Sequence, residues 1–97
     1  MNQGEFDIPQ LEKAANRLKA MAHPLRIAII EILDANGSLC VSDIFEKLSI
    51  EQAVASHHLN ILKNRNILKS ERSGKNIVYS LNNELISEII HCLKKCS

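Results

Sequence analysis

Ser49-Ile50-Glu51-Gln52-Ala53-Val54-Ala55-Ser56-His57-His58-Leu59-Asn60-Ile61-Leu62-Lys63-Asn64-Arg65 is the stretch on which the reading of this chain turns. Ser49 followed three residues later by Gln52 fits a capping box, in which a hydroxyl and an amide satisfy the orphan N–H groups at a helix start. Placed at ~100° per residue on a helical wheel, Val54, Ala55, His58, Leu59 and Leu62 share one arc, which predicts a core-facing side. Ala53, Ser56, His57, Asn60 and Lys63 share the other, with Gln52 in the first turn. That second arc is small or polar, carries no acid and ends in basic residues. Such a surface can enter a major groove and reach base edges. The same pattern also describes an ordinary solvated helix face, so the flanking segments decide.

Downstream, Asn66 sits where a helix end wants a left-handed residue, which Asn tolerates better than most. Leu68 to Arg72 and Asn76 to Leu81 then predict two strands around Ser73-Gly74-Lys75, a hairpin with glycine at its tip. Arg72 and Lys75 are expected to project from it. Upstream, Leu39-Cys40-Val41 suits a brief strand. Ser42 is expected to cap a short helix whose Ile44, Phe45 and Leu48 face inward, with Asp43 complementing the macrodipole. Two helices separated by so short a turn predict a helix-turn-helix over residues 42–65. The hairpin at 67–81 then reads as a wing.

The ends of the chain are helical. Residues 1–8 read as a loose polar arm. Pro9 suits a first helical position, and Leu11, Ala14, Ala15, Leu18 and Met21 recur at helical spacing over 9–21. His23-Pro24 breaks that helix. Pro24 to Ala35 predicts a second one, apolar nearly all round and therefore buried, ended by Asn36-Gly37. Asn82 or Asn83 is expected to cap a last helix over 83–96, with Leu85, Ile86, Ile89, Ile90 and Leu93 on one stripe.

Ninety-seven residues make a single domain. With aromatics at only 3 %, the core must come from Ile, Leu, Val and Ala. No apolar run approaches the ~18 residues of a membrane span. The first residues, with Glu5 and Asp7, lack the pattern of a signal peptide. Three cysteines do not make a disulfide framework. A cytoplasmic protein with reduced thiols is expected. Net charge is +1, but His57 to Lys75 holds Lys63, Arg65, Lys69, Arg72 and Lys75 against Glu71 alone. Positive charge gathered there is the footprint of a polyanion-binding surface. No Ser-His-Asp set, paired carboxylates or glycine-rich phosphate loop is present, so an enzyme is not expected.

Leu18-Lys19-Ala20-Met21-Ala22-His23-Pro24-Leu25-Arg26-Ile27, Val41-Ser42-Asp43-Ile44, Ser56 to Leu62 and Val78-Tyr79-Ser80-Leu81 together resemble the ArsR/SmtB-type family of small dimeric bacterial repressors. The resemblance covers nearly the whole chain, with Asn66 in place of the usual glycine. It implies a mainly α winged helix-turn-helix of five helices, order α-α-(β)-α-α-β-β-α. It also implies a homodimer closed by the first and last helices, here through Leu11, Ala14, Leu18, Leu85, Ile86, Ile89, Ile90 and Leu93. The implied partner is a pseudo-palindromic DNA duplex, read by Gln52, Ala53, Ser56, His57, Asn60 and Lys63, with Arg72 and Lys75 on the backbone.

The family often senses metals, but the familiar ligand sets are not kept. A Cys-Val-Cys-Asp site reads Cys40-Val41-Ser42-Asp43 here, one thiolate short. A second site, on the last helix, has Asn83, Leu85 and Cys96 at the matching positions. No metal and no cofactor are expected, because such sites need several converging ligands. Some family members respond through paired thiols on the second and last helices, and this second helix has no cysteine. Cys40, Cys92 and Cys96 remain as candidate thiol sensors; the plainer reading makes Cys40 a small buried hydrophobe. His58 is expected to be a satisfied core residue, and His23 to serve the helix junction. The rival function is a winged helix used for protein–protein interaction, which the acid-free arc argues against.

Overall fold

The structure, a computed structural model, describes residues 7–95. Five helices and three strands occur among them: α1 (Ile8–Met21), α2 (Pro24–Asn36), β1 (Ser38–Cys40), α3 (Val41–Leu48), α4 (Gln52–Asn64), β2 (Leu68–Ser73), β3 (Asn76–Leu81) and α5 (Glu84–Lys95). This is the expected winged helix-turn-helix. Most of the proposed arm and Cys96 lie outside the described residues.

Local chemistry sets the boundaries. Asp7 caps α1 in a reciprocal box, accepting the Gln10 N–H at 2.9 Å while its own N–H donates to Oε1 of Gln10 at 3.0 Å. His23 caps α2, its Nδ1 accepting the Leu25 N–H at 3.1 Å. Gly37 closes α2 at φ +82°, a backbone that residues with a Cβ avoid. The Asn83 side chain caps α5 by accepting the Leu85 N–H at 2.9 Å.

Two expected caps are not formed. Ser42 lies inside α3, whose N-cap is Cys40 without a side-chain bond. Ser49 does not start α4; it ends α3 in the left-handed region at φ +55°, its N–H donating to the Glu46 carbonyl at 3.2 Å. Closing α3 takes the backbone of Ser49, so Glu51 becomes the N-cap of α4, again without a side-chain bond.

The sheet is antiparallel, with order β1-β3-β2. β1 is too short to stand alone and pairs Leu39 with Tyr79. β2 and β3 pair from Leu68 with Leu81 to Ser73 with Asn76, leaving Gly74 and Lys75 as the turn. Gly74 holds φ +63° at the first turn position, where a type II′ hairpin takes glycine.

The core is aliphatic, as the lack of aromatics requires. Ile29, Ile30 and Leu33 of α2, Ile44 of α3, Leu59 and Leu62 of α4, and Ile67 are wholly buried. Ile86 and Ile90 of α5 join them. That corrects the interface stripe expected on α5: these two side chains fix the helix to its own chain and are not available to a partner. Ile89 is half-buried against the same core, while Leu85 is 63 % exposed and Leu93 is also exposed. Polar contacts add to the α2–α5 packing. The Ser87 hydroxyl donates to Asp34 Oδ1 at 2.5 Å, and His91 Nε2 lies 2.8 Å from Asp34 Oδ2. Both hold the Asp34 carboxyl below its ordinary pKa, Ser87 most strongly.

Among the described elements, α1 touches only α2 and α4. Ala20 and Met21, at its end, are buried, and residues 8–19 are exposed throughout. Its apolar stripe, including Leu11 and Leu18, has no cover among the described residues.

Candidate nucleic-acid interface

α4 is held from behind. Ala55, His58, Leu59 and Leu62 are buried, as the helical wheel predicts. Val54 departs from the expectation: at the edge of the apolar arc, it stays 37 % exposed. His58 is the buried polar member of the core face. Arg26 Nε–H donates to its Nδ1 at 3.1 Å, so its own proton sits on Nε2. The same guanidinium donates through Nη1 to the Ala20 carbonyl at 3.0 Å, tying α4 to the α1–α2 junction. The His23 ring lies 4.6 Å from that of His58, and the His57 ring 5.2 Å. Burial, then the neighbouring His23, Arg26 and His57, push the His58 pKa below its ordinary 6.5.

The other arc is presented outward. Gln52, Ala53, His57, Asn60 and Lys63 are exposed and Ser56 is half-buried. Gln52, Ser56 and Asn60 form one wall of a 480 Å3 cleft whose other wall carries Lys75, Asn76 and Ile77 of the wing. Lys75 is thereby brought beside the recognition helix. Arg72 is exposed on β2, opposite Ile77 and one pair in from the turn, rather than at the tip itself. The helix offers amide, hydroxyl and imidazole groups suited to base edges, and the hairpin offers cations suited to phosphates.

The two thiols among the described residues, Cys40 and Cys92, do not converge. Cys40 lines the wing cleft, and its Sγ–H donates to Asp43 Oδ2 at 3.2 Å with Ser42 Oγ also at 3.2 Å. Cys92 is exposed on α5, which touches neither β1 nor α3. Among the described residues, no group of three or more His, Cys, Asp or Glu side chains is placed to hold a metal ion.

Residues 23–70, which carry the helix-turn-helix and the first residues of the wing, match the family described as bacterial regulatory protein, arsR family. The chain is 39 % identical over 89 residues to the transcriptional repressor PagR of Bacillus anthracis, covering 92 % of this chain and 89 % of that protein. This chain belongs to the arsR family. An uncharacterised helix-turn-helix transcriptional regulator of Methanocaldococcus jannaschii is 42 % identical over 79 residues, covering 81 % of this chain and 89 % of its own length. The crystal structure of PagR superposes with a TM-score of 0.83 at 37 % identity, covering 90 % of this chain and 99 % of that one. The arsR-family chain described here is a DNA-binding transcriptional regulator and not an enzyme.

Two parts of this arsR-family surface escape a reading of the sequence. Asn76 and Ser42 join the cleft only because the wing folds back over the start of α3. Arg26 reaches His58 across 32 positions. A buried histidine needs a partner, but its spacing in the sequence does not name one.

Proposed function

We propose that the chain acts as a homodimeric repressor, its two α4 helices in successive major grooves of a pseudo-palindromic operator and its wings on the flanking backbone or minor groove. Gln52, Ala53, Ser56, His57, Asn60 and Lys63 face the bases; Arg72 and Lys75 meet phosphates. The observation that carries this reading is the acid-free outer arc of α4 standing across a cleft from Lys75. Dimerisation is supported by α1, whose Leu18 is 58 % exposed with Leu11 and Ile8 beside it, and by Leu85 and Leu93 of α5. An exposed apolar patch of this kind marks an interface. Repression matches the name of PagR. A cytoplasmic location follows from the work proposed, and no described helix is long and apolar enough to cross a membrane.

Salt-titrated binding to the duplex upstream of its own gene, against random duplex, is the direct test. The upstream duplex is expected to bind at least ~10³-fold tighter, in the range of specific over non-specific recognition. Equal, salt-insensitive affinities would favour the protein-interaction reading. Sedimentation is expected to show a dimer at micromolar concentration. Adding metals, oxidants or persulfides to the bound complex tests which signal releases it.

A further inference from the structure

At the C-terminal end of α4, α1 lays its polar face along the recognition helix. Lys13, Asn16 and Arg17 meet Asn64, Arg65 and Asn66 around a cleft of 210 Å3. An adjoining cleft of 170 Å3 shares Asn16 and Arg65 and adds Lys19 and Arg26. Lys13, Arg17, Lys19 and Arg65 are exposed, and among the described residues none of them forms an ion pair. No acid lines either cleft; Glu12, on the same helix, lines neither.

Cations gathered without counter-charge repel one another, and the cost is relieved when a polyanion arrives. The three asparagines supply neutral donors of the sort that accompany phosphate contacts. The groove is also continuous with the recognition surface. Asn64 shares the exposed arc of His57 and Asn60, one turn further along α4. A nucleic-acid strand following that arc leaves it between α1 and α4.

We propose that the α1–α4 groove is a second phosphodiester-binding surface, gripping operator backbone past the C-terminal end of α4 through Lys13, Arg17 and Arg65. This rests on the DNA-binding reading and adds a grip outside the helix-turn-helix and the wing. Each phosphate neutralised contributes ~0.9 unit to the slope of log affinity against log salt.

The test is a salt titration of the full chain on the upstream duplex and on random duplex. Lys13→Gln/Arg17→Gln is expected to lower the slope by about one unit for each phosphate no longer bound, summed over both protomers, and to weaken both duplexes by the same factor. Arg65→Gln, on the other wall, is expected to lower it by half as much. Sedimentation of each variant checks that the dimer persists, and if the double variant loses it, Arg65→Gln decides alone. Unchanged slopes in the groove variants, beside a lowered slope in Arg72→Gln/Lys75→Gln, would overturn the groove and leave DNA binding intact. A wild-type chain that binds neither duplex would remove the DNA reading itself and the groove's role with it.

Discussion

α1 and α4 are amphipathic helices of 14 and 13 residues that treat their two faces in opposite ways. α4 buries Leu59 and Leu62 and shows solvent its polar arc. α1 turns Lys13, Asn16 and Arg17 toward α4 and leaves Leu11 and Leu18 outside. An apolar stripe left in water on the side away from the chain's own core is not what one chain in water favours. α4 is therefore finished by its own chain, whereas the stripe of α1 is left for the second copy proposed above. Amphipathicity alone does not say whether a stripe belongs to a core or to an interface; the neighbours decide.

The largest effect expected from this contrast is on the dimer. Leu11→Glu/Leu18→Glu places charge on the face of α1 proposed to meet the second copy, and an unpaired buried charge is costly. Sedimentation is expected to show monomers with an unchanged circular-dichroism spectrum. Specific DNA affinity is expected to fall by ~4 kcal/mol or more, toward the non-specific level. These positions isolate the interface better than Ile89, which also packs on the chain's own core. A dimer that survives the double substitution would break the comparison.

Next comes a matched pair of truncations. Leu59→Ala empties a wholly buried site and is expected to cost about 2–5 kcal/mol in urea unfolding. Ile8→Ala in that monomeric background is expected to change stability by less than ~0.5 kcal/mol, since the side chain is 65 % exposed among the described residues. Similar costs at the two sites would mean that α1 is packed by its own chain after all.

On the outer arc, Ser56→Ala or His57→Ala is expected to weaken operator binding by about 1–3 kcal/mol per half-site, with affinity for random duplex little changed. Full operator affinity in either variant, with folding intact, removes that residue from the base-reading face.

The smallest effect is a pH dependence. Arg26 donates to Nδ1 of His58, so protonation of the ring must break that bond. The folded pKa is depressed below 6.5, and the unfolded chain therefore binds more protons in that region. The stability contributed is complete above 6.5 and is lost as pH falls below it. Melting temperature is expected to drop on mild acidification and to flatten in His58→Gln, measured by calorimetry across that window. A wild-type melt that is level there would separate His58 from the linkage.

The sequence by itself determined the element order, the wing and its Gly74 turn, the left-handed Asn66 at φ +61°, and the core arc of α4. These are local matters. Helical and strand periods, glycine and asparagine in turns, and a run of basic residues act over a few positions and can be read there. It misplaced the caps at Ser42 and Ser49, because a cap is set by where the helical backbone begins, at Cys40 and Glu51 here, and only the three-dimensional turn shows which backbone is already used. The tertiary structure alone decided the rest. It sent Ile86 and Ile90 inward while leaving Leu85 and Leu93 outside, a division of one stripe that depends on where α2 lies. It also set Lys13 and Arg17 beside Arg65, about fifty positions away in the chain. Charge adds up by distance in space, and separation along a chain does not fix that distance until the helices pack.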